Sequence, residues 1–302
     1  MKTQKGKLIV VMLALALGTA SMQSAQAQTF KKVKVSLNAP LVQVASGGAS
    51  VWALASNGHP YVLKGKSFAL ANTISLSQIA VGGGTLFQAD EVWALNSSGS
   101  VYRASKSGAS WIFSQVSGSL DLIVVGPGYQ DSCHPYEVWG LNPSSQIFRY
   151  NFCGNNFDQE PGSLCNIVVG GGDIWGSDCG PDVFLFDFSA GVFGQVGARF
   201  SGFPLLTVGP NNAVLGIDTS NSELWEVYGS GWASLGLGWS QIQAGGNGVW
   251  ALSSANSVYR WGPGASDFTQ VPGVALVSIS VGTGGGVWGI NSSHQVFAFS
   301  TP

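Results

Sequence analysis

The sequence predicts an all-β fold: a seven-bladed β-propeller of four-stranded antiparallel blades, one domain over residues 28–302, closed by the N-terminal strand. Three observations predict it. A Val-Trp-Ala-Leu-like tetrad recurs seven times, a second aromatic follows each copy at near-constant spacing, and the chain ends one strand short of a complete repeat.

Composition sets the frame. The 302 residues hold 43 Gly, 11 Trp and only 9% charged residues, where a soluble domain carries about a quarter. A hydrophobic content of 45% argues against disorder. The glycines follow no G-X-Y period, which excludes collagen. Thirteen Lys+Arg against fifteen Asp+Glu give a net charge of −2, so there is no basic excess to attract nucleic acid.

Residues 1–27 read as a secretory signal peptide. Lys2, Lys5 and Lys7 precede an apolar run over 8–17, too short for the ~20 residues of a membrane span. Ala25-Gln26-Ala27 is a small-x-small cleavage site, with the cut expected after Ala27. An uncleaved anchor is the alternative. No Cys follows the cut, and no second apolar run approaches spanning length. The mature chain then carries 10 basic and 15 acidic side chains and enters an oxidising compartment, periplasmic or extracellular.

The repeat anchors are Trp52, Trp93, Trp139, Trp175, Leu215, Trp250 and Trp288. The second aromatics are Tyr61, Tyr102, Phe148, Phe184, Trp225, Tyr259 and Phe297, nine residues on in six units and ten in the Leu215 unit. Fixed spacing across polar turns such as Asn96-Ser97-Ser98-Gly99 is a hairpin signature, because turn length sets which side chains share a face. Before each anchor lies an apolar run that in most units ends in glycine, as in Gln78-Ile79-Ala80-Val81-Gly82. After the second aromatic comes a shorter aromatic-led segment, as in Phe113-Ser114-Gln115-Val116 and Phe268-Thr269-Gln270-Val271. Each unit is therefore four strands, a to d, and no window past the leader shows a helical stripe. Units of about 39 residues are the size of a propeller blade.

The last unit supplies strands a to c and stops at Pro302. Phe30-Lys31-Lys32-Val33 matches the d pattern and precedes the first strand a at 41–45, so it completes the last blade. Lys31, Lys32 and Lys34 are read as guards against edge pairing, with a patch for anionic glycans as the alternative.

Four cysteines allow three pairings. Antiparallel strands place the a–b and c–d loops on one face and the b–c and d–a loops on the other. Cys133 and Cys153 fall on the first face, and Cys165 and Cys179 on the second. Cys133–Cys153 and Cys165–Cys179 are the predicted bonds, each bracing one blade by about 3 kcal/mol in the chain-entropy model. A metal site using His134 beside Cys133 is the alternative, and no CxxC supports it.

Residues 111–126 (WIFSQVSGSLDLIVVG) followed by 137–142 (EVWGLN), 268–282 (FTQVPGVALVSISVG) followed by 287–291 (VWGIN), and 239–260 (WSQIQAGGNGVWALSSANSVYR) resemble the tectonin family of β-propeller repeats. The resemblance covers essentially all of 29–302. It implies carbohydrate or cell-surface recognition without catalysis. Family lectins often have six repeats and this chain has seven, so family binding positions do not transfer directly.

No HExxH, GxSxG or P-loop occurs, and His59 and His294 lie near b–c turns. Asp90, Glu91, Asp131, Glu137 and Asp173 cluster on the a–b side, and a glycan hydrolase would use two converging carboxylates there. Their unequal distances from the anchors favour a non-enzyme. Most repeated aromatics are assigned to packing between blades. Trp239 and Trp261 are read as lacking counterparts in most repeats, and so as candidates for stacking on a pyranose. Asn96, Asn142, Asp178, Asp218 and Asn291, three after each anchor, either bond sugar hydroxyls or cap their own turns. Arg103, Arg149 and Arg260 follow the strand-c aromatic, to pair with neighbouring-blade carboxylates or to fork onto a ligand. The expectation is a secreted, monomeric, non-enzymatic glycan binder with no cofactor, no metal and no nucleic-acid partner. A protein-interaction scaffold is the alternative.

Overall fold

The computed structural model describes residues 29–35, 37, 39–84, 89–197, 200–209, 212–228, 231–261 and 267–300. The leader expected over 1–27 lies outside the described residues. Seven four-stranded antiparallel sheets are present. Blades 1 to 6 span 41–70, 78–119, 122–163, 166–195, 204–237 and 239–275. Blade 7 combines Ser278–Val281, Val287–Ile290 and Val296–Ser300 with the N-terminal strand Thr29–Lys32. That closing strand pairs Phe30 with Phe299 and Lys32 with Phe297, leaving Lys31 and Lys32 exposed on the outer edge. No described helix is long and apolar enough to cross a membrane.

The core lies between the blades. Each anchor sits on strand b and packs onto strands c and d of the next blade. Trp93 meets Tyr150 at 4.5 Å between ring centroids, Trp139 meets Phe186 at 4.9 Å, and Trp250 meets Phe299 at 4.6 Å, all edge-on. Edge-on contact aims the positive ring edge at the negative face of its partner. In blade 2 the corresponding strand-c position is Ala104, and Trp111 from strand d fills the space against Trp52 at 4.7 Å. Such buried tryptophans hold the ring: truncating one costs about 3–5 kcal/mol.

The glycines that end strand a have a packing reason. A Cβ on Gly82 would stand 2.3 Å from the Val125 carbonyl oxygen, and one on Gly282 would stand 2.1 Å from that of Gly47. Strand a of each blade runs closest to the axis, so neighbouring backbones touch there. Glutamines add a second tie. Gln43 Nε2 donates to the Ile79 carbonyl at 2.9 Å, while its Oε1 accepts the Ile79 amide at 3.0 Å. Gln78 does the same to Ile123, and Gln241 to Ile279.

Both predicted disulfides are formed. Cys133–Cys153 joins the a–b and c–d loops of blade 3, and Cys165–Cys179 joins the entry of blade 4 to its b–c turn.

Candidate functional site

The three arginines lie opposite their anchors on strand c: Arg103 on Trp93, Arg149 on Trp139 and Arg260 on Trp250. Each guanidinium sits 5.4–5.8 Å from that indole's centroid. The expected neighbouring-blade carboxylate is corrected to one from the same blade. Arg103 Nε and Nη2 bond Glu91 at 2.9 and 2.8 Å, and Arg149 bonds Glu137 at 2.9 and 2.6 Å. Antiparallel pairing puts the two positions side by side, so the forked bond closes within one sheet. The Glu91 hydrogen bonds, against some loss from burial, raise the Arg103 pKa above its ordinary value. Arg260 lacks an acid there and donates to Asn247 Oδ1 at 2.6 Å.

The five turn residues use their side-chain oxygens on their own turns, and Asp218 also holds the loop before strand a of its blade. Asn96 Oδ1 accepts the amides of Ser98 and Ser100, Asn142 those of Ser144 and Gln146, and Asn291 those of Ser293 and Gln295. Asp178 accepts Gly180 and Asp182. Asp218 accepts Ser201 and Ser220 and is itself buried. Asx residues serve where a turn leaves amides unpaired. Of the two roles expected for this position, the structure displays the cap.

The a–b acids are dispersed among partners. Asp90 accepts the amides of Gly48, Ala49 and Ser50 from blade 1 and of Gly84. Glu91 and Glu137 hold arginines. Asp131 pairs with His134 Nδ1 at 2.8 Å. Burial raises the Asp173 pKa. Among the described residues no group of three His, Cys, Asp or Glu could hold a metal.

Trp239 and Trp261 come together. Strand d of blade 5, strands a, b and c of blade 6 and the residues leading into its strand d line a cavity of about 420 Å³ that both indoles share with Tyr259, Phe268, Asp267 and Leu237. Phe268 lies 4.9 Å from Trp239 and 5.8 Å from Trp261, and Tyr259 lies 5.1 Å from Trp239. Trp239 Nε1 is buried with no hydrogen-bond partner. Ser234 and Ser253 complete the polar part of the wall.

The expectation that these two tryptophans lack counterparts in most repeats is corrected for Trp261, while Trp239 replaces a leucine and has no aromatic counterpart in blades 1 to 4 and 7. Trp261 pairs with Val249 and follows its anchor by eleven residues, as Tyr150, Phe186 and Phe299 follow theirs. Trp239 precedes Ile242 as Leu41, Leu76, Leu120, Leu164 and Leu276 precede their own Val or Ile by three. The substitution follows from Leu215, the small anchor: Leu215, Trp239, Trp261 and Phe268 share one cluster, and the two indoles fill the volume an anchor tryptophan occupies elsewhere. Tyr259 and Phe268 were legible only as packing aromatics, because the period marks their strands and not the gap between two blades.

A tectonin domain model matches residues 23–192 and 205–302, and the chain belongs to that family. Among solved structures it is similar to YCF48 bound to D1 peptide, at 13% identity and a TM-score of 0.65 over 90% of this chain and 97% of that one. YCF48 from Cyanidioschyzon merolae matches at 13% identity and 0.64, over 90% and 98%. Human WBSCR16 matches at 10% identity and 0.62, over 88% and 87%. At these identities the likeness is one of fold. No curated protein matches the sequence.

Proposed function

We propose that the mature chain is a secreted, monomeric, non-enzymatic lectin-like propeller that binds cell-surface or envelope glycans. One observation carries this reading: Trp239 and Trp261 meet Tyr259 and Phe268 around one cavity whose wall also holds Asp267, Ser234 and Ser253. Flat rings match the C–H face of a pyranose, and the polar groups orient its hydroxyls. Shallow sites on a rigid ring gain avidity when several engage one surface, by ~10²–10⁴-fold. The two disulfides suit export. A glycan array probed with folded, disulfide-intact protein tests the reading. Selective binding supports it, and silence across the array rejects it.

The second reading is a peptide- or protein-binding scaffold. It is favoured by the similar fold of YCF48, solved with a D1 peptide. Capture of a defined protein partner, together with a silent array, would select it.

A further inference from the structure

A second cavity, of about 710 Å³, opens on the face of the a–b loops and reaches from blade 3 across blade 4 to blade 5. Arg149 and Asp131 line it from blade 3, Asp173 and Phe188 from blade 4, and Asn212 from blade 5. It is open because blade 4 turns in two residues. Gly170 pairs with Asp173 across Gly171 and Gly172, both at positive φ, 62° and 97°, the geometry of a tight type I′ hairpin. The longer blade 3 loop beside it is braced by Cys133–Cys153.

Blade 4 also lacks one member of a repeated charge set. In blades 2 and 3 the acid two residues before the anchor receives both an arginine and the anchor's indole N–H. Trp93 Nε1 donates to Glu91 at 3.1 Å and Trp139 Nε1 to Glu137 at 2.7 Å, beside Arg103 and Arg149. In blade 4 the acid is Asp173, but the residue paired with Trp175 is Leu185. The buried Trp175 Nε1 has no acceptor, because an aspartate is one methylene shorter than the glutamates that reach the indole. The Asp173 side chain makes no ion pair or hydrogen bond among the described residues. A half-buried carboxylate without a partner costs stability until a cation or donor reaches it.

We propose that this cavity binds the protonated amine of an amino sugar, the ammonium standing beside Asp173 where blades 2 and 3 place a guanidinium. Arg149 is already neutralised by Glu137 and Asp131 is held by His134 and the amides of Cys133 and His134, which leaves Asp173 as the carboxylate facing the cavity without a charged partner among the described residues. The Phe188 ring, packed on Arg149 and Phe186, adds apolar wall to the cavity, and the Asn212 side chain offers hydroxyl partners. The proposal rests on the lectin reading for its ligand class and on blade 4 for its site.

Titration of the intact, disulfide-bonded protein with D-glucosamine, N-acetyl-D-glucosamine and D-glucose, followed by NMR or calorimetry, tests it. Glucosamine should bind roughly ten-fold or more tightly than the other two, because acetylation removes the charge. Asp173→Asn should lose that preference. Leu185→Arg should rebuild the internal pair, raise Tm and exclude glucosamine. Equal binding of the three sugars, absence of glucosamine binding, or glucosamine binding unchanged in both variants would overturn the proposal. If other glycans still bind and respond to Trp239→Leu but not to Asp173→Asn, only this proposal fails. If no sugar of any kind binds, the lectin reading fails with it.

Discussion

Arg149 grips both oxygens of Glu137, at 2.9 and 2.6 Å, while its guanidinium lies 5.4 Å from the Trp139 ring and 5.4 Å from Phe188 of the next blade. One side chain thus ties strand b to strand c and blade 3 to blade 4. Breaking a buried pair from one side leaves an uncompensated charge, at about 3–5 kcal/mol. Glu137→Gln should therefore be strongly destabilising in urea unfolding. Glu91→Gln should cost clearly less, because the Arg103 side chain is 36% exposed against 11% for Arg149.

Leu215 and its two neighbouring indoles form a compensated set. Leu215→Trp alone should overpack and cost about 1–3 kcal/mol. Combined with Trp239→Leu, the residue most blades carry there, much of the loss should return. A double-mutant cycle on urea midpoints would show this as a favourable coupling.

Asn166 occupies the strand-a position of Gln78 and Gln241 and has a buried Oδ1 without a partner. It is one methylene short of the inter-blade clamp. Asn166→Gln should complete the tie from blade 4 to blade 5 and stabilise by about 1 kcal/mol. That is a Tm increase of about 2–4 °C for a chain of this size, read by calorimetry.

Asp218 should make the protein acid-sensitive in a defined window. Burial raises its pKa, but the Ser220 hydroxyl and the amides of Ser201, Ser220 and Gly202 outweigh it and hold the pKa below 3.8. A depressed carboxylate pKa gives stability that is complete above the unfolded value and lost as pH falls through the folded one. Asp218→Asn should therefore be less stable than wild type at neutral pH. The gap should narrow as pH drops below about 3.8. A gap that stayed constant across that range in urea titrations would refute the assignment.

Ring architecture, blade count, closing strand and both disulfides were legible because each follows from a period or from loop parity. The site was legible in part. Trp239 and Trp261 stood out by residue type, but their pairing depends on Leu215 in the adjacent blade, and a repeat alignment does not show contacts between units. The arginines were recognisable as a set, while their partners were assigned to the wrong blade. Strand register, which places residue ten opposite residue zero, decides that question. Asp173 was visible only as one of the a–b acids, and the register with Leu185 shows that no arginine stands across from its anchor.

The blade 5–6 cavity is proposed to bind sugar by stacking it on the Trp239 and Trp261 indoles. The most direct measurement compares wild type and Trp239→Leu, by calorimetry, on a glycan selected from an array. Trp239→Leu beside Leu215 leaves volume unfilled in that cluster, so binding is read only once circular dichroism and urea unfolding show the variant folded. Wild type should bind and the folded variant should lose ten-fold or more, as expected for about 1.4 kcal/mol of stacking. Unchanged affinity in the folded variant would contradict it.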